Sequence, residues 1–265
     1  MRLKITHRTE YSYDVPLQYG LQRLRLTPLS GSTQAIVNWA LTIEGAREEL
    51  RFVDQFGNDT RLVSVEGDPH VVSVEAGGII ETFDTAGVTG PHQGFAPLWL
   101  FQRQTNLTAP GEEIEHLAET IAATSELDRL HDLMDAVAAR MHYVPGTTDS
   151  ATTAEQALKL GHGVCQDYSH IFIAAARRLG FPSRYVSGYL LMDNGTIDQV
   201  ASHAWAEAHV NALGWVAFDA ANRISPDQRY VRLAVGRDYR EATPVSGIRL
   251  GQAAEALAVR ITVEQ

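Results

Sequence analysis

With 265 residues, 45% of them hydrophobic and 20% charged, the chain has the composition of a soluble globular protein, large enough for one big domain or two ordinary ones. Its net charge of −10 argues against a nucleic-acid binder, which grips phosphates with clustered Lys and Arg. No run approaches the roughly 18 apolar residues of a membrane span, and a single cysteine leaves no intrachain disulfide.

The opening MRLKITHRTEYSYDV has no apolar run of signal-peptide length, so a reducing, cytoplasmic location is expected. Up to about Phe83 the hydrophobic period is two: Leu3 and Ile5, Leu24 and Leu26, then Val37, Trp39, Leu41 and Ile43. DQFGND, Asp54 to Asp59, has hairpin-loop chemistry between two apolar pairs. The segment 1–84 therefore reads as an N-terminal antiparallel β-sandwich-like domain. Glycines and prolines break any period over 85–108, but Phe95, Trp99, Leu100 and Phe101 are too apolar for a solvated linker, so a packed interdomain strap is expected.

After Pro110 the period becomes 3.6. Ile114, Leu117, Ala118 and Ile121 make one helical stripe; Ser125 caps a second helix with Asp128 at its third position. TAEQ, Thr153 to Gln156, is a capping box for a short third helix ending at Gly161. A fourth helix carries Tyr168, Phe172, Ala175 and Leu179, with Asp167 in its first turn and Arg177 and Arg178 in its last. Strands follow around 183–192, 203–210 and 215–219, with an alternating strand from Leu257 to Val263. The fold class is α+β, with 109–265 forming a second domain of helices packed on an antiparallel sheet, its C-terminal strands included.

Cys165 falls in the first turn of that fourth helix. Free amides and the positive helix end favour a thiolate and can also receive a developing oxyanion, so one terminus supplies part of two catalytic needs. Such a nucleophile requires an imidazole and a group to orient it. ASHAWAEAHV offers His203, opening a strand; GWVAFDAANR offers Asp219, a carboxylate at the end of an apolar strand, where it needs a partner. The pairing carries a geometric condition. A two-residue turn around Ala212-Leu213 would put His203 and Asp219 on opposite faces, whereas an odd-length loop over 210–214, ending at Gly214, sets Trp205 opposite Asp219 with His203 as its same-face diagonal neighbour.

The bland alternatives are specific. A lone buried cysteine is most often an inert small hydrophobe. His162 and His170 flank Cys165 but match no recurrent zinc spacing, and no oxygen-rich loop suggests calcium. His209 reads as surface or structural, Glu207 as a partner for an arginine, and Trp205 and Trp215 as core or groove wall.

The segments GVCQDYSHIFIAAARRLGFPSRYVSGYL, SHAWAEAHV and GWVAFDAANR resemble the three motifs of the transglutaminase-like superfamily, papain-related thiol enzymes, over about Tyr143 to Arg223. THRTEYSYDVP, DQFGND and VGRDYREATPVSGIRL resemble the bacterial proteins that put a β domain before this core. The resemblance implies a papain-like transglutaminase core with Cys165 as nucleophile, His203 as base and acid and Asp219 as orienting carboxylate. It also implies a thioester acyl-enzyme made from a peptide or protein amide and resolved by water or by an amine. Tyr143, Gln166 and Trp205 are the oxyanion or groove candidates. The family follows its aspartate with Pro-Thr, where this chain has Ala220-Ala221, so the local turn does not carry over. No cofactor and no metal is implied, and neither nucleic acid nor membrane is an expected partner. The other readings are a transglutaminase, transferring the acyl group to an amine, and a non-catalytic peptide-binding or scaffolding module on the same fold.

Overall fold

The computed structural model describes residues 1–193 and 195–265. The early alternation becomes β1 (Arg2–Tyr13), β2 (Tyr19–Thr27), β3 (Gln34–Glu44), β4 (Ala46–Val53), β5 (Asp59–Val65) and β6 (Val71–Thr82). In β1 every second residue from Leu3 to Thr9 is buried, as a strand with one covered face requires. Asp54 organises the DQFGND loop: its Oδ1 accepts the N–H groups of Phe56 and Asn58, each at 3.0 Å, and its Oδ2 meets Arg25 Nε at 2.9 Å.

Then come β7 (Val88–Gly90), a 3-10 turn at Leu98–Gln102, α1 (Glu112–Glu119), α2 (Glu126–Arg140), β8 (His142–Tyr143), α3 (Ala154–Leu160), β9 (His162–Gly163) and α4 (Cys165–Arg178). The caps act where their residue types predict. Ser125 Oγ accepts from Asp128 N at 3.1 Å, Thr153 Oγ1 from Gln156 N at 3.2 Å, and α3 closes on Gly161 at φ 70°. The remaining elements are β10 (Ser183–Leu190), β11 (Asp198–Gln199), β12 (His203–Val210), β13 (Gly214–Phe218), β14 (Tyr230–Gly236), α5 (Tyr239–Ala242), β15 (Val245–Leu250) and β16 (Glu255–Glu264).

Three larger sheets result, in the orders β11-β16-β1-β6-β3, β15-β2-β5-β4 and β14-β10-β12-β13-β7. The first two enclose an apolar core in which Leu3, Ile5, Val74 and Ile261 meet Leu24, Leu26 and Val63. The third sheet has two covered faces. Ala204, Ala206, Ala208, Val216 and Phe218 join the core built by α1 to α4, with Phe172 and Phe218 stacked at 5.1 Å between ring centroids. Trp205, Trp215 and Ala217 pack with Phe56 and Phe101 on the other side.

Two expectations are corrected. The C-terminal strands, assigned above to the second domain, belong to the N-terminal sheets: β16 pairs with β1 from Lys4↔Glu264 to Tyr13↔Glu255, and β15 pairs with β2. Alternation reports that a strand has a buried face but not which edge receives it. The strap is only partly packed. Phe101 is buried and β7 pairs with β13, yet Phe95 is 93% and Trp99 58% exposed.

Candidate active site

The approach to Cys165 is built from short-range devices. Parallel pairing of β8 with β9, through His142 N to Gly161 O and Val144 N to Gly163 O at 2.9 Å each, lays Tyr143 beside the turn that leads into α4. Asp167 locks the turn from the other side: its Oδ2 accepts Val164 N at 2.8 Å and Thr148 Oγ1 at 2.7 Å. A Cβ on Gly163 would lie 2.4 Å from that same oxygen, so the close approach requires glycine. Burial pushes the Asp167 carboxyl up, against its hydrogen bonds. Cys165 opens α4 at 8% exposure, on the stripe that continues through Tyr168 and Phe172.

His203 opens β12, and Asp219 directly follows β13. Because these strands are antiparallel neighbours, both residues stand at one end of the sheet. The hairpin pairs Val210 with Gly214 and Ala206 with Phe218, the register that continues to Trp205 opposite Asp219. The odd loop required above is the one adopted, with Gly214 at φ 79°. His203 Nε2 meets Asp219 Oδ2 at 2.6 Å, and the imidazole also interacts with the Cys165 side chain.

Asp219 is almost fully enclosed and well partnered. Its Oδ1 accepts the N–H groups of Ala221 and Asn222 at 3.0 and 3.2 Å; its Oδ2 accepts Asn222 Nδ2 and Tyr230 Oη at 2.8 Å each. The turn that follows is thus made by the aspartate itself and closed by a bridge between Asp219 and Ile224, so it needs no Pro-Thr. Burial alone would raise the Asp219 carboxyl, but the donors, His203 first, hold it below the usual carboxylate range. Burial would likewise push His203 down; the charge on Cys165 and the hydrogen bond to Asp219 outweigh it and lift the imidazole to about 10.

The other candidates separate. Tyr143 is exposed, its ring 6.4 Å from that of Tyr168, and its hydroxyl lies within electrostatic reach of Cys165. Trp205 is buried under the site, its ring at 29° to the His203 ring and 6.3 Å away. Gln166 donates its Nε2 to the Asp149 carbonyl at 3.3 Å and is tied down there, rather than offered to an acyl oxygen.

Among the flanking histidines, His170 is wholly buried, accepts the Tyr239 N–H at 3.1 Å and is pushed down to about 3 by burial. His162 bonds Thr147 through Nδ1, and His209 stands edge-on to Trp215 at 5.5 Å. Glu207 is the buried arginine partner, 2.6 Å from Arg184 Nε.

Sequence reasoning did not find Asn222 and Tyr230. Asn222, three residues beyond Asp219, has a local signal, since asparagine is common in side-chain-closed turns. Tyr230 has none: it arrives on β14, two strands away from β12 in the sheet order.

Comparison with known proteins bears on the family and the fold. Residues 115–220 match the family model described as the transglutaminase-like superfamily, and residues 3–81 match the bacterial transglutaminase-like N-terminal region. An uncharacterized protein of Mycobacterium leprae is 29% identical over 279 residues, spanning 99% of this chain and 98% of its own. An uncharacterized Mycobacterium bovis protein is 28% identical over 273 residues, spanning 93% and 87%. Among solved structures, a proposed cysteine protease from Cytophaga hutchinsonii superposes with a TM-score of 0.77 at 22% identity, covering 100% of this chain and 91% of that one, a likeness of fold.

Proposed function

Given that the chain belongs to the transglutaminase-like superfamily, we propose that it is a thiol hydrolase of amide or peptide bonds, built on a papain-like core and working through Cys165, His203 and Asp219. The observation that carries the reading is the 2.6 Å bond from His203 Nε2 to Asp219, with the imidazole raised to about 10, against burial, by the charge on Cys165 and by that bond. A protonated imidazole beside a sulfur is what keeps a thiol ionised at neutral pH.

In this reading the Cys165 sulfur attacks the substrate carbonyl carbon, and the carbonyl oxygen takes up negative charge. The Cys165 backbone N–H and the Tyr143 hydroxyl supply the donors for that oxygen. Collapse breaks the C–N bond, His203 delivers its proton to the leaving amine, and a thioester remains on Cys165. His203, now neutral, takes a proton from the incoming water, whose oxygen displaces the sulfur and releases a carboxylic acid. Asp219 keeps Nε2 engaged, so the other ring nitrogen, Nδ1, performs both transfers. The single thiol fits a cytoplasmic setting; among the described residues no helix is long and apolar enough to cross a membrane.

The test is a peptide-library digest read by mass spectrometry, with and without an added primary amine. Wild type is expected to release carboxylic acids, and Cys165→Ala to lose at least about a thousandfold in rate. Faster amine incorporation than hydrolysis assigns a transglutaminase instead. Turnover undiminished in Cys165→Ala overturns the thiol mechanism.

A further inference from the structure

A second concavity lies away from Cys165, on the face of the central sheet opposite α4. It encloses about 390 Å³ between the loops 29–34, 56–58 and 89–94 and the side chains of Arg184, Trp215 and Arg232. That volume is within the range of small-molecule sites, and the position, between the N-terminal sheets and the central sheet, is where such sites concentrate.

Its charge is unbalanced. Glu207, fully buried on β12, has Arg184 Nε at 2.6 Å and Arg232 Nε at 3.6 Å, so one carboxylate faces two guanidinium groups. Arg184 Cζ lies over the Trp215 ring, 3.9 Å from its centroid. The Arg232 side chain is 31% exposed and makes no hydrogen bond among the described residues. Burial pushes Arg184 down to about 9 against the opposing charge of Glu207, and the charge on Arg232 adds a smaller push in the same direction as burial.

The walls are preformed. The Gln34 amide holds both main-chain groups of Arg232, at 2.7 and 2.8 Å, and the Asn58 amide does the same for Val235 at 2.8 and 2.7 Å. At Gly31, Gly57, Gly90 and Gly94 an added Cβ would meet nothing within 4 Å, so the surrounding loops leave open space.

We propose that this cavity binds a small organic carboxylate, its carboxylate on Arg232 and Arg184 and its apolar body against Leu29, Phe56 and Trp215. The single excess positive charge matches a monoanion, and the guanidinium fork matches the two oxygens of a carboxylate. The apolar part of the lining favours an organic acid over a bare inorganic ion. The site does not depend on the chemistry at Cys165.

The experiment is isothermal titration at low salt of the full chain carrying Cys165→Ala, with N-acetyl-L-leucine and with its neutral analogue N-acetyl-L-leucinamide. The acid is expected to bind and the amide to bind at least roughly tenfold more weakly; Arg232→Gln should weaken the acid by a similar factor. Leu29→Trp, which fills the cavity without changing charge, should remove acid binding and serves if Arg232→Gln does not fold. Equal binding of acid and amide, acid binding unchanged in Leu29→Trp, or inorganic phosphate binding as tightly as the acid would each overturn the assignment.

Discussion

Asp219 holds His203 only as firmly as its other donors hold Asp219. Tyr230→Phe removes one buried hydrogen bond to a charged oxygen while keeping the ring that packs 5.8 Å from His203 and 5.4 Å from Trp205. We expect a fall in kcat/KM of about tenfold or more, with the fold retained by circular dichroism. The proton on His203 gives a second prediction. Its largest support is the charge on Cys165, so in Cys165→Ala the imidazole should titrate well below the wild-type value of about 10, as read from the shift of its ring Cε1–H by NMR. A histidine raised in the folded state adds stability that is complete below about pH 6.5 and is lost as pH rises through about 10; Asp219, held low, adds stability that is lost as pH falls beneath about 3.9. Activity should therefore have an alkaline limb near pH 10, and that limb is checked by the pH profile of kcat/KM.

At the scale of elements, the hairpin between β12 and β13 sets the register of the site, and Gly214 sets the hairpin. A Cβ there would lie 2.2 Å from the Gly90 carbonyl oxygen, on a backbone already at φ 79°. Gly214→Ala should cost well above about 1 kcal/mol in urea unfolding, and it should slow turnover because Asp219 moves relative to His203. This hairpin was legible in the chain because Trp215 to Phe218 is continuous and apolar, and because only an odd loop brings His203 and Asp219 to one face. The helix starts were legible for a similar reason: Ser125 and the Thr153 to Gln156 box act within a few residues of themselves. What local chemistry does not encode is strand adjacency across long loops. The pairing of β7 with β13 and the return of β16 to β1 join segments far apart in sequence, and Tyr230, only 11 residues from Asp219, reaches it from a strand that pairs with β10 and not with β13. The exposure of Phe95 and Trp99 belongs with them, since apolarity marks the wish to be covered and not the presence of a cover.

For the whole molecule, the decisive contacts are those that tie the N-terminal sheets to the rest. β16 supplies Ile261 and Val263 to the core that β1, β2, β5 and β6 share, and His7 of β1 bonds Tyr189 of β10 at 2.9 Å. Residues 1–84 expressed alone should therefore lack cooperative unfolding in a thermal melt, whereas the full chain melts in one main transition. Removal of β16 should lower the midpoint sharply by exposing a long edge on β1. The same strand also receives β11, through Asp198↔Thr262 and Gln199↔Ile261, a short distance ahead of His203. During synthesis this has an order. A nascent chain carries Cys165, His203 and Asp219 well before it carries Glu255–Glu264, so β1 stays an open template and the segment entering His203 stays untethered until β16 leaves the ribosome. Completion of the site therefore waits on β16, and the interval with an unpaired β1 is when a chaperone has most to protect.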